Sequence, residues 1–332
     1  MRPKHISKEK IANWFMGLQD RICESLEIMD GLGKFQEDRW ERPGGGGGRS
    51  RVIQGKVIEK GGVNFSAVHG EMPAKISEKL GLPPSHFFAT GVSIVLHPVS
   101  PMVPIIHMNV RYFQTVSREQ TDQNTTSKTQ TEPNEIPHRQ AGNSQVWWFG
   151  GGIDLTPHYI VENDARFFHQ QMKKVCDKHH PEFYPEFKKW ADDYFYLKHR
   201  KETRGIGGIF FDHLNDKKGM DKEAAFAFVK DVGESFAPTY IDIALKNKDV
   251  SFGEKEKEWQ AIRRSRYVEF NLLWDRGTKF GLDTDGRTES ILMSMPPQAQ
   301  WFYQYKTEKG SQEENTLNLL KKGIEWVKEN EE

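Results

Sequence analysis

Residues 91–113, GVSIVLHPVSPMVPIIHMNVRYF, read as two strands joined by a proline-rich connection. In the first, Val92, Ile94 and Leu96 point one way while Ser93 and His97 point the other. In the second, Met108, Val110 and Tyr112 oppose His107, Asn109 and Arg111. Alternation of period two marks a strand with two unlike faces, and the connection over 97–104 favours an antiparallel pair. If both strands share a sheet, Ser93, His97, His107, Asn109 and Arg111 lie on one surface. Solvent faces prefer Thr, Lys and Glu, whereas Asn is depleted in strands. The polar side therefore reads as a floor for a ligand, the alternative being an exposed face with chance polar residues.

Working outward, residues 146–149 form another strand, running into GGGIDLTP at 150–157. Its glycines suit close approach of a ligand or a bulge, and Asp154 is either an acid at the strand end or a turn cap. Upstream, 51–59 and 62–68 are strand-like. The glycine run at 44–48 lacks the Gly-Lys-Ser/Thr ending of a phosphate loop; it reads as a mobile loop or gate, because ordering five glycines costs much entropy. Residues 7–30 make an amphipathic helix with Ser7 as N-cap and Gly31 at its end. Helical patterns follow at 162–178, 185–199, 222–236, 239–246 and 254–264, and a last one carries Leu317, Leu320, Ile324 and Val327. Gly205-Ile206-Gly207-Gly208 fails the dinucleotide pattern ahead of a short strand at 209–212. Strands come in runs without regular helix alternation, so the expected class is α+β. Residues 117–145 are rich in Gln, Thr, Asn and Glu and read as a disordered insertion within one domain spanning 1–332.

The stretch at 266–297, RYVEFNLLWDRGTKFGLDTDGRTESILMSMPP, reads as the feature around which the chain is arranged. Val268, Phe270, Leu272 and Trp274 alternate with Glu269 and Asn271, predicting a strand over 267–274, a turn, and a second strand over 291–295. Asp275-Arg276-Gly277 and Asp285-Gly286-Arg287 then sit at strand ends. Gly and Asp are ordinary turn residues too, so a packing hairpin competes with a site.

Arg111, Arg276 and Arg287, with Arg204 as a fourth, accompany the acids Asp154 and Asp275. Guanidinium offers paired planar donors matched to carboxylates. The 332-residue chain has 47 Lys plus Arg against 47 Asp plus Glu, which removes the basic footprint of a nucleic-acid binder. A cluster of arginines in a neutral chain suggests a small polyanion. Two cysteines exclude a disulfide framework or a Cys-rich metal site and suit a reducing compartment. No long apolar run predicts a membrane span and no leader is evident, so a cytoplasmic protein is expected. Nine Trp and 21 Phe suit a thick core or a flat ligand.

GVSIVLHP, HMNVRYF, WWFGGGIDLTP, DDYFYLKHR, RGIGGIFFD, RYVEFNLLWDRGTKFG and GRTESILMSMPP together resemble the oxygen-dependent coproporphyrinogen-III oxidase family, over nearly the whole chain. The resemblance implies a homodimeric enzyme of haem biosynthesis that converts two propionates of coproporphyrinogen III to vinyls with molecular oxygen and no organic cofactor. It implies one large antiparallel sheet between helical layers. By motif, Ser93, Asn109, Val110, Arg111, Asp285, Gly286 and Arg287 correspond to substrate contacts and His107 to a proton donor. Asp275 and Arg276 correspond to an acid–guanidinium pair, Asp154 and Arg204 to further cleft residues, and 266–297 to a dimerisation region. His97, His107, His169 and His199 correspond to positions assigned as metal ligands in bacterial relatives, although their spacing is not that of a helical metal motif. Two other readings stand beside this one, a non-catalytic tetrapyrrole carrier of the same fold and a phosphate-ligand enzyme built on 44–48.

Overall fold

The structure, a computed structural model, describes residues 6–74, 77–78, 81–82, 85–116, 146–216, 219–283 and 286–327. The insertion expected at 117–145 lies outside the described residues. Strands β1 (Gln36–Glu41), β2 (Gly46–Ile53), β3 (Ile58–Glu71), β4 (His86–Pro98), β5 (Ile105–Val116), β6 (Trp147–Thr156) and β9 (Gly207–Leu214) form one antiparallel sheet. Their order is β1-β2-β3-β4-β5-β6-β9, with β7 (Tyr196–Leu197) and β8 (Glu202–Thr203) paired separately. The α+β class and the antiparallel pairing of 91–113 hold.

One face is the core. Val92, Ile94, Leu96, Met108, Val110, Tyr112, Ile153 and Phe211 are buried there against α1 (Lys8–Asp30), α2 (Glu162–Asp177) and α4 (Lys222–Asn247). Helix α1 lays down Ile11, Phe15, Leu18, Ile22 and Leu26. Ser7 accepts from the Lys10 N–H, and Gly31 closes the helix at φ 76°, a conformation that favours glycine. The carboxylate of Asp30 then accepts N–H groups from Leu32, Gly33, Lys56, Val57 and Ile58, fastening the helix end to the β2–β3 connection. Pro238 does not divide α4 as expected. Phe226, Phe228, Val232, Phe236 and Tyr240 are all buried, and that packing outweighs the one backbone bond a proline removes.

Three readings change. Residues 46–48 belong to β2 instead of a mobile loop, paired with β3 and, at Gly47 and Gly48, with β1 as well; a side chain at Gly48 would meet the Phe65 carbonyl and, at 2.5 Å, the Trp40 indole, so glycine admits both close approaches. The segment expected as a hairpin at 266–297 is helical: α5 (Glu254–Leu273), α6 (Arg276–Asp283) and α7 (Thr288–Leu292). Its apolar alternation does not follow burial, since Leu272 and Leu273 are exposed while Gln260, Arg263, Arg264, Glu269 and Asn271 are buried. Those polar groups find partners, Arg263 with Glu202 at 2.8 Å and Arg264 with Glu59 and the Pro98 carbonyl. A helix that buries ions escapes hydrophobic periodicity. Last, α8 (Gln312–Leu319) stops short of Val327, and Leu320 and Trp326 reach the core from irregular chain. Helix α3 (Phe183–Tyr194) wraps the β9 edge, Phe187 meeting Phe211 on the core side and Tyr194 stacking on Phe210 on the other.

Candidate active site

The second face of the sheet is polar and open. Ser93 lies opposite Asn109, Asn109 opposite Gly152, and Gly152 opposite Phe210. One row along, Gly48, Ser66, Gly91, Arg111 and Gly150 are neighbours across five strands. The next row holds Val95, His107, Asp154 and Gly208. Paired residues project to the same side, so these side chains share one surface. Ser66, Gly91, Ser93, His107, Asn109 and Arg111 remain partly exposed although they belong to the middle strands. This is a broad floor of small and polar groups, bounded by α3 on one side. On the other, α5–α7 close it: Asn64 donates to the Ser290 carbonyl at 3.0 Å, Met293 packs on Gly62, and Tyr267 packs with Val95 and Ile105.

Behind the floor His107, Asp154 and Arg204 form one hydrogen-bonded chain. His107 Nδ1 lies 2.7 Å from Asp154 Oδ1, and Arg204 donates from Nη2 to Asp154 Oδ2. Arg204 is 2% exposed, its guanidinium packed over the rings of Phe195, Tyr267 and Phe270 at 4.3, 4.7 and 4.7 Å. Burial alone would raise the Asp154 carboxyl, but the Arg204 charge and the His107 and Arg204 hydrogen bonds hold it below its ordinary value. An ionised carboxylate only accepts, so the Nδ1 of His107 carries a proton and Nε2 is presented to the cleft. The β5–β6 register brings His107 to Asp154, 47 residues apart in sequence, and the segment between β8 and β9 brings Arg204 to Asp154 from 50 residues away.

The arginines bracket the floor. Arg111 pairs with Asp212 at 2.9 Å and donates to Asn109 at 3.0 Å. Arg287 pairs with Asp38 and reaches the hydroxyls of Ser50 and Ser290. Ser50 on β2 and Arg111 on β5 are three strand spacings apart, about 14 Å. Arg276 is exposed and lies over the Tyr194 ring at 5.7 Å. Asp275 caps the first turn of α6: Oδ1 accepts from Tyr194 at 2.7 Å and Oδ2 from the Thr278 N–H at 2.6 Å. Through Tyr194, stacked on Phe210, Asp275 joins the rim of the cleft.

Not every expected residue converges. Val110 is 0% exposed on the core face, because the period that puts Asn109 and Arg111 in the cleft puts Val110 beneath it. Gly286 donates its N–H to the Gly281 carbonyl, and Asp285 is outside the described residues. The four histidines do not form one centre. His97 is buried and meets the Ser294 carbonyl at 2.8 Å; burial pushes its pKa down to about 3. His169 lies in the main core between the Tyr184 hydroxyl and the Ile206 carbonyl, with its pKa likewise pushed down to about 3 by burial. His199 bridges Glu269 at 2.7 Å and the Trp274 N–H at 3.0 Å. Among the described residues no three His, Cys, Asp or Glu side chains are grouped to hold a metal, so these residues do not fit the metal set.

Sequence reasoning passed over Asp38, Trp40, Tyr194, Phe210 and Asp212. The strand read at 209–212 is present as part of β9 and already places Phe210 and Asp212 on one face by alternation. Glu269 is also more than a strand residue: it accepts from His199, Arg200, Arg266 and Trp301. Burial opposes its ionisation, yet these donors hold its pKa down to about 2.

The profile of the family described as Coproporphyrinogen III oxidase matches residues 10–326. Coproporphyrinogen-III oxidase 1, chloroplastic, of Arabidopsis thaliana is 50% identical over 317 residues, spanning 93% of this chain and 76% of that protein. The oxygen-dependent coproporphyrinogen-III oxidase of Synechococcus sp. (strain CC9902) is 44% identical over 350 residues, spanning 98% of this chain and 89% of that protein. The chloroplastic protein of that name from Glycine max is 49% identical over 317 residues, or 93% of this chain and 77% of its own length. The chain belongs to the coproporphyrinogen III oxidase family.

Proposed function

We infer that the chain is an oxygen-dependent coproporphyrinogen-III oxidase working in haem biosynthesis. It oxidatively decarboxylates two propionates of coproporphyrinogen III to vinyls, giving protoporphyrinogen IX. The geometry that supports this reading is the broad floor of Ser66, Gly91, Ser93 and Asn109 bracketed by Arg111 and Arg287, which matches a wide macrocycle with carboxylates at its rim. For each propionate, the side chain, one oxygen molecule and one proton become a vinyl, carbon dioxide and hydrogen peroxide. Two electrons pass from the substrate to oxygen.

The residues supply orientation and protons. Arg111 and Arg287 hold carboxylates through paired donors, and fixing the reacting group lowers the barrier by removing its freedom beforehand. His107, its Nδ1–H directed at Asp154, delivers the proton at Nε2. Asp154 stabilises the charged imidazole, and Arg204 keeps Asp154 ionised. Asp275 at the rim accepts a pyrrole N–H proton, and Arg276 beside it engages a propionate.

The test is anaerobic coproporphyrinogen III mixed with purified protein and then exposed to air: carbon dioxide and vinyl product are expected, and spectral change without gas release would mean a carrier. No observation favours a carrier. We propose that no organic cofactor and no metal take part, the expected histidine ligands being dispersed. Exhaustive chelation is expected to leave turnover intact; loss reversed by one divalent ion would overturn this. We further propose a homodimer joined through 266–297, read by size-exclusion chromatography with light scattering. No helix among the described residues is long and apolar enough to cross a membrane. The buried free thiols Cys23 and Cys176 suit a reducing compartment, whether the cytoplasm or the chloroplast named for the plant relatives.

A further inference from the structure

We propose that Asp38, on edge strand β1, is the resident counter-ion of Arg287 and exchanges with a substrate carboxylate. This rests on the reading of the cleft as a propionate-binding site. Hairpin β1–β2 and helix α7 meet in one polar network. Arg287 pairs through Nη2 with Asp38 Oδ2, and its Nη1 lies 3.5 Å from Ser50 Oγ and 3.4 Å from Ser290 Oγ. The two hydroxyls are 3.0 Å apart, and Trp40 donates its indole N–H to Ser50 at 3.2 Å. Asp38 lies opposite Ser50 and Trp40 opposite Gly48, so both stand on the cleft side of β1. Glu37 and Arg39 project to the other side, where Glu37 pairs with Arg39 and Arg51.

The two arginine pairs differ in a way that matters. Asp212, beside Arg111, has a side chain 24% exposed and also accepts the His213 N–H, so it is fixed. The Asp38 side chain is 57% exposed, and among the described residues no hydrogen bond holds it except that from Arg287. An exposed ion pair on an edge strand is weak. A propionate presented inside the cleft, with two parallel donors and less water, binds the same guanidinium better. Once that propionate has left as carbon dioxide, the arginine returns to Asp38 and is not stranded without an anion.

KM and kcat for carbon dioxide release, with the melting temperature, test this in Asp38→Asn, Asp38→Glu, Arg287→Ala and the Asp38→Asn/Arg287→Ala double variant. Removing the competing carboxylate in Asp38→Asn is expected to lower KM about three- to fivefold, the range of an exposed pair, while Asp38→Glu keeps the wild-type value. In the Arg287→Ala background Asp38→Asn is expected to leave KM unmoved. A raised or unchanged KM in Asp38→Asn overturns the exchange, as does an effect that persists without Arg287. Carbon dioxide release by the wild type, measured in the same series, reports separately on the functional reading.

Discussion

The two faces of the sheet are made by the same strands and obey different rules. Met108 and Val110 look down into α1 and α4, whereas His107, Asn109 and Arg111 look up into the cleft. On the lower face apolar burial decides stability, and any side chain of suitable volume serves. On the upper face burial falls on ions, Asp154 and Arg204 beneath the floor and Glu269 at its rim. Each is tolerated because its partners are in place. Neighbouring residues on one strand therefore have separable roles: chemistry alternates with packing.

The sharpest attack on this division is Asp275→Asn. Asn caps a helix as well as Asp does, so the first turn of α6 is kept while the charge and basicity are lost. Turnover is expected to fall by about 10² to 10⁴, the range for a lost general base, with porphyrinogen affinity changing much less. Near-normal carbon dioxide release would reduce Asp275 to a cap, and dissociation to monomer would move it to the interface. Arg276→Lys should also weaken binding, because an ammonium lacks the planar two-pronged contact.

A paired test on β5 comes next. Met108→Ala opens a core cavity and is expected to cost about 2 to 5 kcal/mol in denaturant unfolding, with kcat of the folded enzyme unchanged. Asn109→Ala removes the acceptor that steadies Arg111 and is expected to raise KM about tenfold, as loss of a hydrogen bond to a charged group does. Its stability should stay near wild type. Equal loss of stability in both variants would erase the distinction between the faces.

Asp30 gives a smaller, pH-dependent effect on the core side. Burial pushes its carboxyl up, but the N–H groups of Ile58, Gly33, Lys56 and Val57 together hold it below its ordinary value. A lowered carboxyl contributes stability above the unfolded value near 3.9 and loses it as pH falls through the folded one. Asp30→Asn is expected to cost about 1 to 3 kcal/mol at neutral pH, with the gap to wild type closing below about pH 4. A gap that persists in acid would mean that the charge is not what holds the turn. The smallest effect is expected from replacing 117–145 with a short turn between β5 and β6. Thr115 and Val146 already pair, N–H to carbonyl at 2.8 Å, so activity and melting temperature should not move. A large loss of either would show that the segment docks on the fold.

The sequence by itself determined the strands of the core face, the cap and stripe of α1, and the candidate floor, because period two and period 3.6 write burial directly into residue order. Alternation puts Asn109 and Arg111 on one face of their strand and Ser93 on the polar face of its own, and antiparallel pairing of the two strands makes these one surface. The helix read at 254–264 is present, but its continuation and the helices through 292 are not legible in this way, since α5 buries Arg263, Arg264, Glu269 and Asn271, and a buried ion looks like a surface residue until its partner is known. The same holds for the hydrogen-bonded chain of His107, Asp154 and Arg204. That Asp154 orients His107 and not a turn depends on β5–β6 register, and Arg204 reaches it only because three aromatic rings from separate segments enclose its guanidinium. Periodicity reports which side of one strand is wet; which charges meet across strands is decided by hydrogen-bond register and by the desolvation that only partners far along the chain can offset.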